Sequence, residues 1–191
     1  MGSTRYYTAT SIDGYIADEH NSLDWLFQVP AEDDAEGQDT RFARFFADIG
    51  AMAMGSTTYE WILGHEGLLE HPERWHYGDT PCWVFSHREL PTIPQADLRF
   101  VRGQVAPVHR EMVAAAGGKD VWIVGGGELV GQFDDAGLLD AIELDVAPVT
   151  LGAGAPLLPR RLTSSRLALV GVERHGHFVH ETYRVRSEGE G

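Results

Sequence analysis

Residues 121–133 read VWIVGGGELVGQF: four apolar residues, three consecutive glycines and then an amphipathic segment. The apolar run predicts a buried strand, and the segment after the glycines predicts a helix. In an open α/β sheet such a turn lies at the carboxyl edge of the strands, where ligands bind. The first N–H groups of a helix are unpaired and favour a phosphate, and glycines let its oxygens approach the backbone. This pattern favours a phosphate site over a plain tight turn, although it is not the G-x-G-x-x-G dinucleotide fingerprint.

Other β-branched and apolar runs predict the remaining strands. The first lies within 5–17 and breaks at Asp13-Gly14, and others follow at 51–54, 82–86 and 98–103. The run LLDAIELDVAPV contains a further strand with alternating apolar residues. The tail RLALVGVERHGHFVHETYRV has two alternating runs around a central turn, which predicts an antiparallel hairpin.

Helical patterns separate these strands. One begins near Asp39, where four apolar residues recur at helical spacing and Asp39 is a candidate N-cap. Others follow Gly55, span VAPVHREMVAAAGG and follow the three glycines. Strands that alternate with helices imply parallel pairing, and the tail adds an antiparallel edge. We therefore predict one α/β domain over residues 1–191, with a mainly parallel mixed sheet and helices on both faces.

Composition excludes several classes of function. The 191 residues are 43% hydrophobic and 23% charged, as in an ordinary globular protein, and no apolar run is long enough to span a membrane. A net charge of −14 argues against a nucleic-acid or anionic-membrane surface. The start of the chain does not read as a secretory signal, and the single cysteine, Cys82, suits a reducing compartment. We expect a cytoplasmic protein.

Two further turns follow apolar strands and offer groups that bind phosphate. Gly55 ends one strand, and Ser56, Thr57 and Thr58 supply hydroxyl and N–H groups at the start of a helix. Residues 86–88, Ser-His-Arg, follow CWVF and could hold a phosphate monoester through a charge-assisted contact. An ordinary N-cap and a solvated loop are the alternatives. Two glycine turns in one sheet favour a ligand with a pyrophosphate between them.

These pieces, in this order, resemble the dihydrofolate reductase superfamily over nearly the whole chain. SIDGYIA (11–17) is similar to the first strand and its loop, MGSTTYE (54–60) to the Met-Gly-x-x-Thr-x-Glu segment, and 121–133 to the glycine turn. SIDGYIA and SLDWL (22–26) look closer to the reductase domain of the riboflavin-pathway deaminase-reductase than to folate reductases. The deaminase half, with its zinc ligands, is absent from this sequence.

The resemblance implies a dihydrofolate-reductase-like fold and NADPH as cofactor. It assigns the backbone of Ala9 and Ile16 to the nicotinamide carboxamide. It assigns Ser86, His87 and Arg88 to the adenosine 2′-phosphate. The cofactor phosphates and pyrophosphate would lie against the two glycine turns, at Gly55, Ser56, Thr57, Thr58, Gly125, Gly126, Gly127, Glu128, Leu129 and Val130.

The substrate side departs from both reference families. Riboflavin-pathway reductases usually have a basic residue directly after Ser-x-Asp-Gly, whereas this chain has Tyr15. Folate reductases have an acid sixteen residues before the Met-Gly glycine, which corresponds here to Asp39. The resemblance thus makes Asp39 the candidate catalytic acid, and a plain helix cap is the alternative. The substrate expected is a small heterocycle.

Three functions stay open on this sequence. The first is an NADPH-dependent reductase that transfers hydride to a C=N or C=O of a heterocycle, as in the reduction of 5-amino-6-(5-phosphoribosylamino)uracil. The second is reduction of a pterin, and the third is nucleotide binding without turnover. Nine histidines show no spacing typical of metal ligands, so no metal is expected. Riboflavin-type relatives are dimers, and Leu167, Leu169 and Val179 offer an apolar face, so we expect a homodimer.

Overall fold

The computed structural model describes residues 2–30 and 35–187, except for the side chains of residues 35–40. Within this part the strands are β1 Thr4–Thr10, β2 Tyr15–Ala17, β3 Ile49–Gly55, β4 Cys82–Phe85, β5 Leu98–Val101, β6 Asp120–Gly125, β7 Ala141–Val146, β8 Ala155–Pro156, β9 Leu167–His175 and β10 Phe178–Val185. The α-helices are α1 Asp24–Phe27, α2 Ala35–Ala47, α3 Ser56–Glu66, α4 Val105–Ala115 and α5 Gly127–Asp135. A 3₁₀ turn covers Pro72–Arg74.

Eight of the described strands form one sheet in the order β5-β4-β3-β6-β1-β7-β10-β9. Pairing is parallel from β5 to β7, with β1 between β6 and β7. The tail hairpin β9–β10 adds antiparallel strands to β7. The predicted fold class is confirmed: a mainly parallel sheet ends in an antiparallel hairpin, and helices cover both faces.

The sheet separates two cores because side chains alternate between its faces. One core surrounds Tyr6 and Ile123 and includes Met112 of α4 and Phe133 of α5. The other surrounds Tyr7 and Trp122 and includes side chains of α2 and α3. The helices that follow the strands bury one side each, so this is a three-layer arrangement. None of the helices in the described ranges is long and apolar enough to cross a membrane.

Two local predictions differ from the structure. Asp39 lies inside α2, which begins at Ala35, so the prediction that Asp39 is the N-cap fails. The chain does turn around the predicted break at Asp13-Gly14, but the first strand already ends at Thr10, and after the turn β2 pairs with β8 in a separate two-stranded sheet. His177 lies in the hairpin turn between β9 and β10.

The third glycine of the opening stretch is required by close backbone packing. A Cβ added at Gly127 would lie 2.3 Å from the carbonyl oxygen of Pro156 and 2.6 Å from that of Leu157. No side chain can occupy this space unless the backbone of residues 156–157 moves. By contrast, an added Cβ at Gly126 meets no atom within 4 Å. Gly127 therefore fixes the position of residues 156–157 against the start of α5, and Gly126 borders open space.

We predict that Gly127→Ala destabilises the protein by about 1–3 kcal/mol, the usual cost of forcing extra atoms into a packed site. Urea denaturation would give the free energy of unfolding. Gly64→Ala is the matched control, because Gly64 lies in helix α3 and its added Cβ meets nothing within 4 Å. This control should be neutral or stabilising by about 0.5–1 kcal/mol. Equal stabilities of the two variants would contradict the close-approach role of Gly127.

Candidate functional site

A cavity of about 730 Å³ follows the carboxyl edge of the parallel strands. Its wall includes Val101 at the end of β5 and Asp145 near the end of β7. Five strand spacings separate β5 from β7 in the sheet order, which is about 24 Å at the usual distance between neighbouring strands. The cavity is therefore long enough for an extended ligand that crosses most of the sheet.

The sequence-predicted cofactor residues converge on this cavity. All of them except Arg88 and Val130 line its wall. The side chain of Val130 is fully buried in the core, and its N–H donates to the carbonyl oxygen of Gly126 at 3.2 Å, so this residue has no free group for a ligand. The assignment of the individual residues to a cofactor stays a prediction.

Two helix N-termini open into the middle of the cavity. Helix α3 has Gly55 as its N-cap and α5 has Gly126, and neither cap makes a side-chain hydrogen bond. The first N–H groups of both helices are therefore not capped by a side chain, as an anion site requires. The peptide bond Gly125–Gly126 is cis, and an added Cβ at Gly125 would lie 3.2 Å from the hydroxyl oxygen of Thr58. The two glycine turns thus lie against each other.

The β4–β5 end of the cavity contains its basic group. Ser86, His87 and Arg102 line this end, whereas the guanidinium of Arg88 forms a bidentate ion pair with Glu60 at 2.6 and 2.8 Å. Arg102 was not predicted from the sequence. It directly follows the strand LRFV, so the rule that ligands bind beyond the carboxyl ends of parallel strands could have identified it.

The Ser-x-Asp-Gly segment binds the backbone of the loop that follows β7. The Asp13 carboxylate accepts hydrogen bonds from the Ser11 hydroxyl at 2.6 Å and from the N–H groups of Leu151 and Gly152 at 3.0 and 2.7 Å. The hydrogen bond from Ser11, followed by those from the two backbone groups, lowers the pKa of Asp13 to about 2. Asp13 is not among the residues that line the cavity. Its position indicates a structural role: it ties residues 11–14 to the loop at 151–152.

The β7 end of the cavity contains a buried carboxylate, Asp145. Its Oδ2 atom accepts hydrogen bonds from the Tyr7 hydroxyl at 2.5 Å and from Nη2 of Arg41 at 2.6 Å. Its Oδ1 atom lies 2.9 Å from Nδ1 of His180. Tyr7 and Asp145 both line the cavity, and the rings of Phe42, Tyr77 and Trp122 form an aromatic wall beside them. A flat ring can stack against this wall.

The environment keeps Asp145 ionised. Burial alone would raise its pKa, but hydrogen bonds from His180, Tyr7 and Arg41, with the charge of Arg41, outweigh burial and lower the pKa. The pKa of Tyr7 is raised, first by burial and then by the negative charge of Asp145, so its hydroxyl stays protonated. Because an ionised carboxylate only accepts hydrogen bonds, Nδ1 of His180 donates to it.

The predicted catalytic acid and Asp145 lie on different elements. Asp39 is in α2, and its side chain lies outside the described residues. Asp145 was not predicted from the sequence as a site residue. Its signal is the alternation in AIELDV, where Glu143 and Asp145 share one strand face. Charged residues on one face of a strand usually face solvent. Here that face is buried instead, because side chains of α2 and β10 contact it.

Metal ligation has no support in the part of the chain that the structure describes. No group of three or more histidine, cysteine, aspartate or glutamate side chains there could hold a metal ion. His180 is a partner of Asp145, and His175 lies 3.1 Å from Glu173.

Comparisons with known proteins agree with this architecture. A family model described as the RibD C-terminal domain matches residues 61–180. The chain is 31% identical over 181 residues to the uncharacterized protein YwjB of Bacillus subtilis (strain 168), which covers 94% of this chain and 96% of that protein.

Solved structures show the same fold. A candidate riboflavin biosynthesis protein from Shewanella sp. PV-4 is 26% identical, with a TM-score of 0.77 over 97% of this chain and 99% of that one. Dihydrofolate reductase from Enterococcus faecalis, complexed with NADP(H), is 16% identical, with a TM-score of 0.57 over 97% and 98% of the two chains. The second likeness concerns the fold alone. The chain belongs to the RibD C-terminal domain family and has the dihydrofolate-reductase-like fold.

Proposed function

We propose that this member of the RibD C-terminal domain family is an NADPH-dependent reductase of a small heterocycle. The observation that supports this most directly is the single cavity with two uncapped helix N-termini in the middle, a basic group at one end and a buried carboxylate with aromatic side chains at the other. The first two features suit a phosphorylated dinucleotide. The third suits a flat substrate.

The space beside the glycine turn before α5 supports the proposal of a dinucleotide cofactor. The open space at Gly126, where an added Cβ would meet no atom within 4 Å, leaves room for a pyrophosphate against the backbone. Residues 55–58 would bind it from the α3 side, and Gly126, Gly127, Glu128 and Leu129 from the α5 side. Ala9 and Ile16 would hold the nicotinamide through their backbone. His87 and Arg102 would bind the 2′-phosphate in place of Arg88, which pairs with Glu60. Ser86 would not donate to it, because its hydroxyl already donates to the carbonyl oxygen of Arg88 at 2.9 Å and its N–H to that of Val101 at 3.0 Å.

The chain's own groups position the reactants, because a bound NADPH supplies the hydride itself. The aromatic wall of Phe42, Tyr77 and Trp122 would orient the heterocycle and exclude water from it. We propose that Asp39 delivers the proton to the substrate nitrogen or oxygen that needs it once the neighbouring carbon has received hydride.

The experiment that tests this function has two arms. Calorimetric titration with NADPH tests binding, and loss of nicotinamide absorbance in the presence of a panel of pyrimidines and pteridines tests turnover. Binding followed by oxidation with at least one compound supports a reductase. Tight binding without oxidation by any pyrimidine or pteridine would favour nucleotide binding without turnover. No binding of NADPH would overturn the proposal.

We predict that NADPH binds more tightly than NADH and that Arg102→Ala reduces this preference about tenfold or more. A charge-assisted contact to a phosphate contributes roughly 1.5–3 kcal/mol, and about 1.4 kcal/mol corresponds to a factor of ten. Dissociation constants for both cofactors would be measured by fluorescence titration. Arg110→Ala is the control, because Arg110 is exposed on α4 and, among the described residues, donates only to the carbonyl oxygen of Ala106.

A second variant, Glu60→Gln, tests whether Arg88 can also contribute to the preference for NADPH. Removing the charge of Glu60 weakens its pair with Arg88 and leaves that guanidinium available to the 2′-phosphate. The preference for NADPH should then rise. An unchanged ratio in both Arg102→Ala and Glu60→Gln would place 2′-phosphate recognition elsewhere.

For the proton donor we predict that Asp39→Asn lowers turnover by roughly 10²-fold or more, the usual scale for general acid catalysis. The dissociation constant of NADPH should change little, since the substitution keeps the side-chain shape. Asp48→Asn, at an exposed site just after α2, is the matched control. Turnover within about twofold of the unmutated protein would remove Asp39 from the reaction.

A homodimer is the assembly that we propose. Leu169, Val170 and Val172 on β9 are 56–58% exposed, and β9 is an edge strand of the sheet. Leu167 instead packs against the core, so it does not contribute to this face. Exposed apolar edges are usually covered by a partner.

Light scattering should therefore give twice the 21.1 kDa of the chain. Val172→Glu should shift the mass toward that of one chain, because it places a charge in the buried face. Glu70→Gln is the control, because Glu70 is exposed and lies far from β9. A single-chain mass for the unmutated protein at micromolar concentration would contradict the dimer.

A further inference from the structure

Asp145 occupies its position because of the register of three strands. It lies opposite Ala9 of β1 and opposite His180 of β10, and Glu143 lies opposite Tyr7. Residues that pair in this way project from the same face of the sheet. Tyr7, Asp145 and His180 therefore lie together on the face that α2 covers. Arg41 of α2 donates a hydrogen bond to Asp145 from that helix.

The described partners leave Asp145 with unused acceptor capacity. An ionised carboxylate has about four acceptor positions on its two oxygens. Tyr7 and Arg41 use the two positions on Oδ2, and His180 uses one on Oδ1. The remaining position on Oδ1 has no partner among the described residues. Since Asp145 lines the cavity, that position is available to a ligand there.

The distribution of charge along the cavity also distinguishes its two ends. Arg102 is the one arginine or lysine among the described residues that line the wall, and it lies beyond β5. At the β7 end, Arg41 is not a wall residue: its Nη2 pairs with Asp145, and its Nε and Nη1 are buried with no hydrogen-bond partner among the described residues. The Arg5 guanidinium is paired with two other carboxylates: Nη2 lies 2.6 Å from Oε1 of Glu143, and Nη1 lies 3.0 Å from Oδ2 of Asp120. A phosphate at the β7 end would therefore face the Asp145 carboxylate with no arginine or lysine on the described wall beside it.

We propose that Asp145 is the substrate-recognition residue of this cavity and that it selects a flat heterocycle with an N–H donor and no phosphate at this end. This inference rests on the proposed reductase function. Tyr7, Arg41 and His180 act as positioning residues, because they fix the rotamer and the charge of Asp145. An N–H group in the plane of an aromatic ring can donate to Oδ1 while the ring packs on Phe42 and Trp122. The hydrogen bond to a carboxylate is the strong, charge-assisted kind.

A pair of matched pyrimidines tests the proposal on the unmutated protein. 2,4-Diaminopyrimidine presents N–H donors, whereas 2,4-dimethoxypyrimidine keeps the ring and has none. Binding is followed by quenching of tryptophan fluorescence, since Trp61 and Trp122 line the cavity. Titrations are made with and without saturating NADP⁺, which fills the cofactor end. The diamino compound should bind at least about tenfold more tightly than the dimethoxy compound.

Substitutions then connect this difference to one residue. Asp145→Asn keeps the side-chain size but loses the charge, and it should weaken binding of the diamino compound about tenfold or more. Tyr7→Phe keeps the carboxylate and should reduce binding by less. Asp97→Asn is the matched control. Asp97 lies just before β5, at the opposite edge of the sheet, and its carboxylate also pairs with an arginine, Arg99. Circular dichroism establishes that each variant is folded.

Three outcomes would overturn the proposal. The first is equal binding of the two pyrimidines, which needs no variant and so decides the question even if Asp145→Asn does not fold. The second is undiminished binding to folded Asp145→Asn. The third is displacement of the diamino compound by uridine 5′-monophosphate at saturating NADP⁺ with a lower dissociation constant, which would assign an anionic substrate to Arg41. Loss of NADP⁺ binding alone would instead count against the reductase function, since the pyrimidine titrations are also made without it.

Discussion

Parallel pairing of the six strands from β5 to β7 is the constraint on which the rest of the structure depends. Each parallel strand requires a crossover that returns to the opposite edge, so helices must cover the faces of the sheet. The carboxyl ends then share one edge, and each ends in a turn where backbone N–H groups and short side chains are exposed. The cavity along that edge follows directly from this pairing, and it combines residues that are far apart in sequence.

Two tight contacts shape the wall of this cavity. The backbone of residues 156–157 lies against Gly127, and Asp13 binds the backbone at residues 151–152. The first contact fixes the loop after β7 against the β6–α5 turn, and the second fixes it against the turn between β1 and β2. The glycine has no side chain because the backbones approach closely, and the aspartate is ionised because its oxygens accept several hydrogen bonds. The opening glycines thus have separate roles: Gly127 permits packing, and Gly126 leaves space.

Local sequence signals were sufficient for the fold and for the middle of the cavity. Apolar runs that end in glycine identified β3 and β6 and the starts of α3 and α5, because these features depend on neighbours in the chain. The ends of the cavity were less accessible. Arg88 was predicted because it directly follows Ser86 and His87, but its ion pair with Glu60 becomes evident only in three dimensions. Asp145 was missed because its burial depends on α2 and β10, which are distant in sequence.

The charges at the two ends of the cavity would let an acidic protein bind the anionic cofactor that we propose. The net charge of −14 describes the whole chain, whereas binding depends on groups within a few ångströms. Uncapped helix N-termini and Arg102 make the middle and the β5 end favourable to phosphate. Asp145 makes the β7 end favourable to N–H donors and unfavourable to a second anion. Tyr15, which stands where riboflavin-pathway reductases usually have a basic residue, agrees with this division. A phosphorylated cofactor and an unphosphorylated substrate would then be sorted to opposite ends of one cavity by electrostatics alone, before any contact specific to the reacting atoms is made.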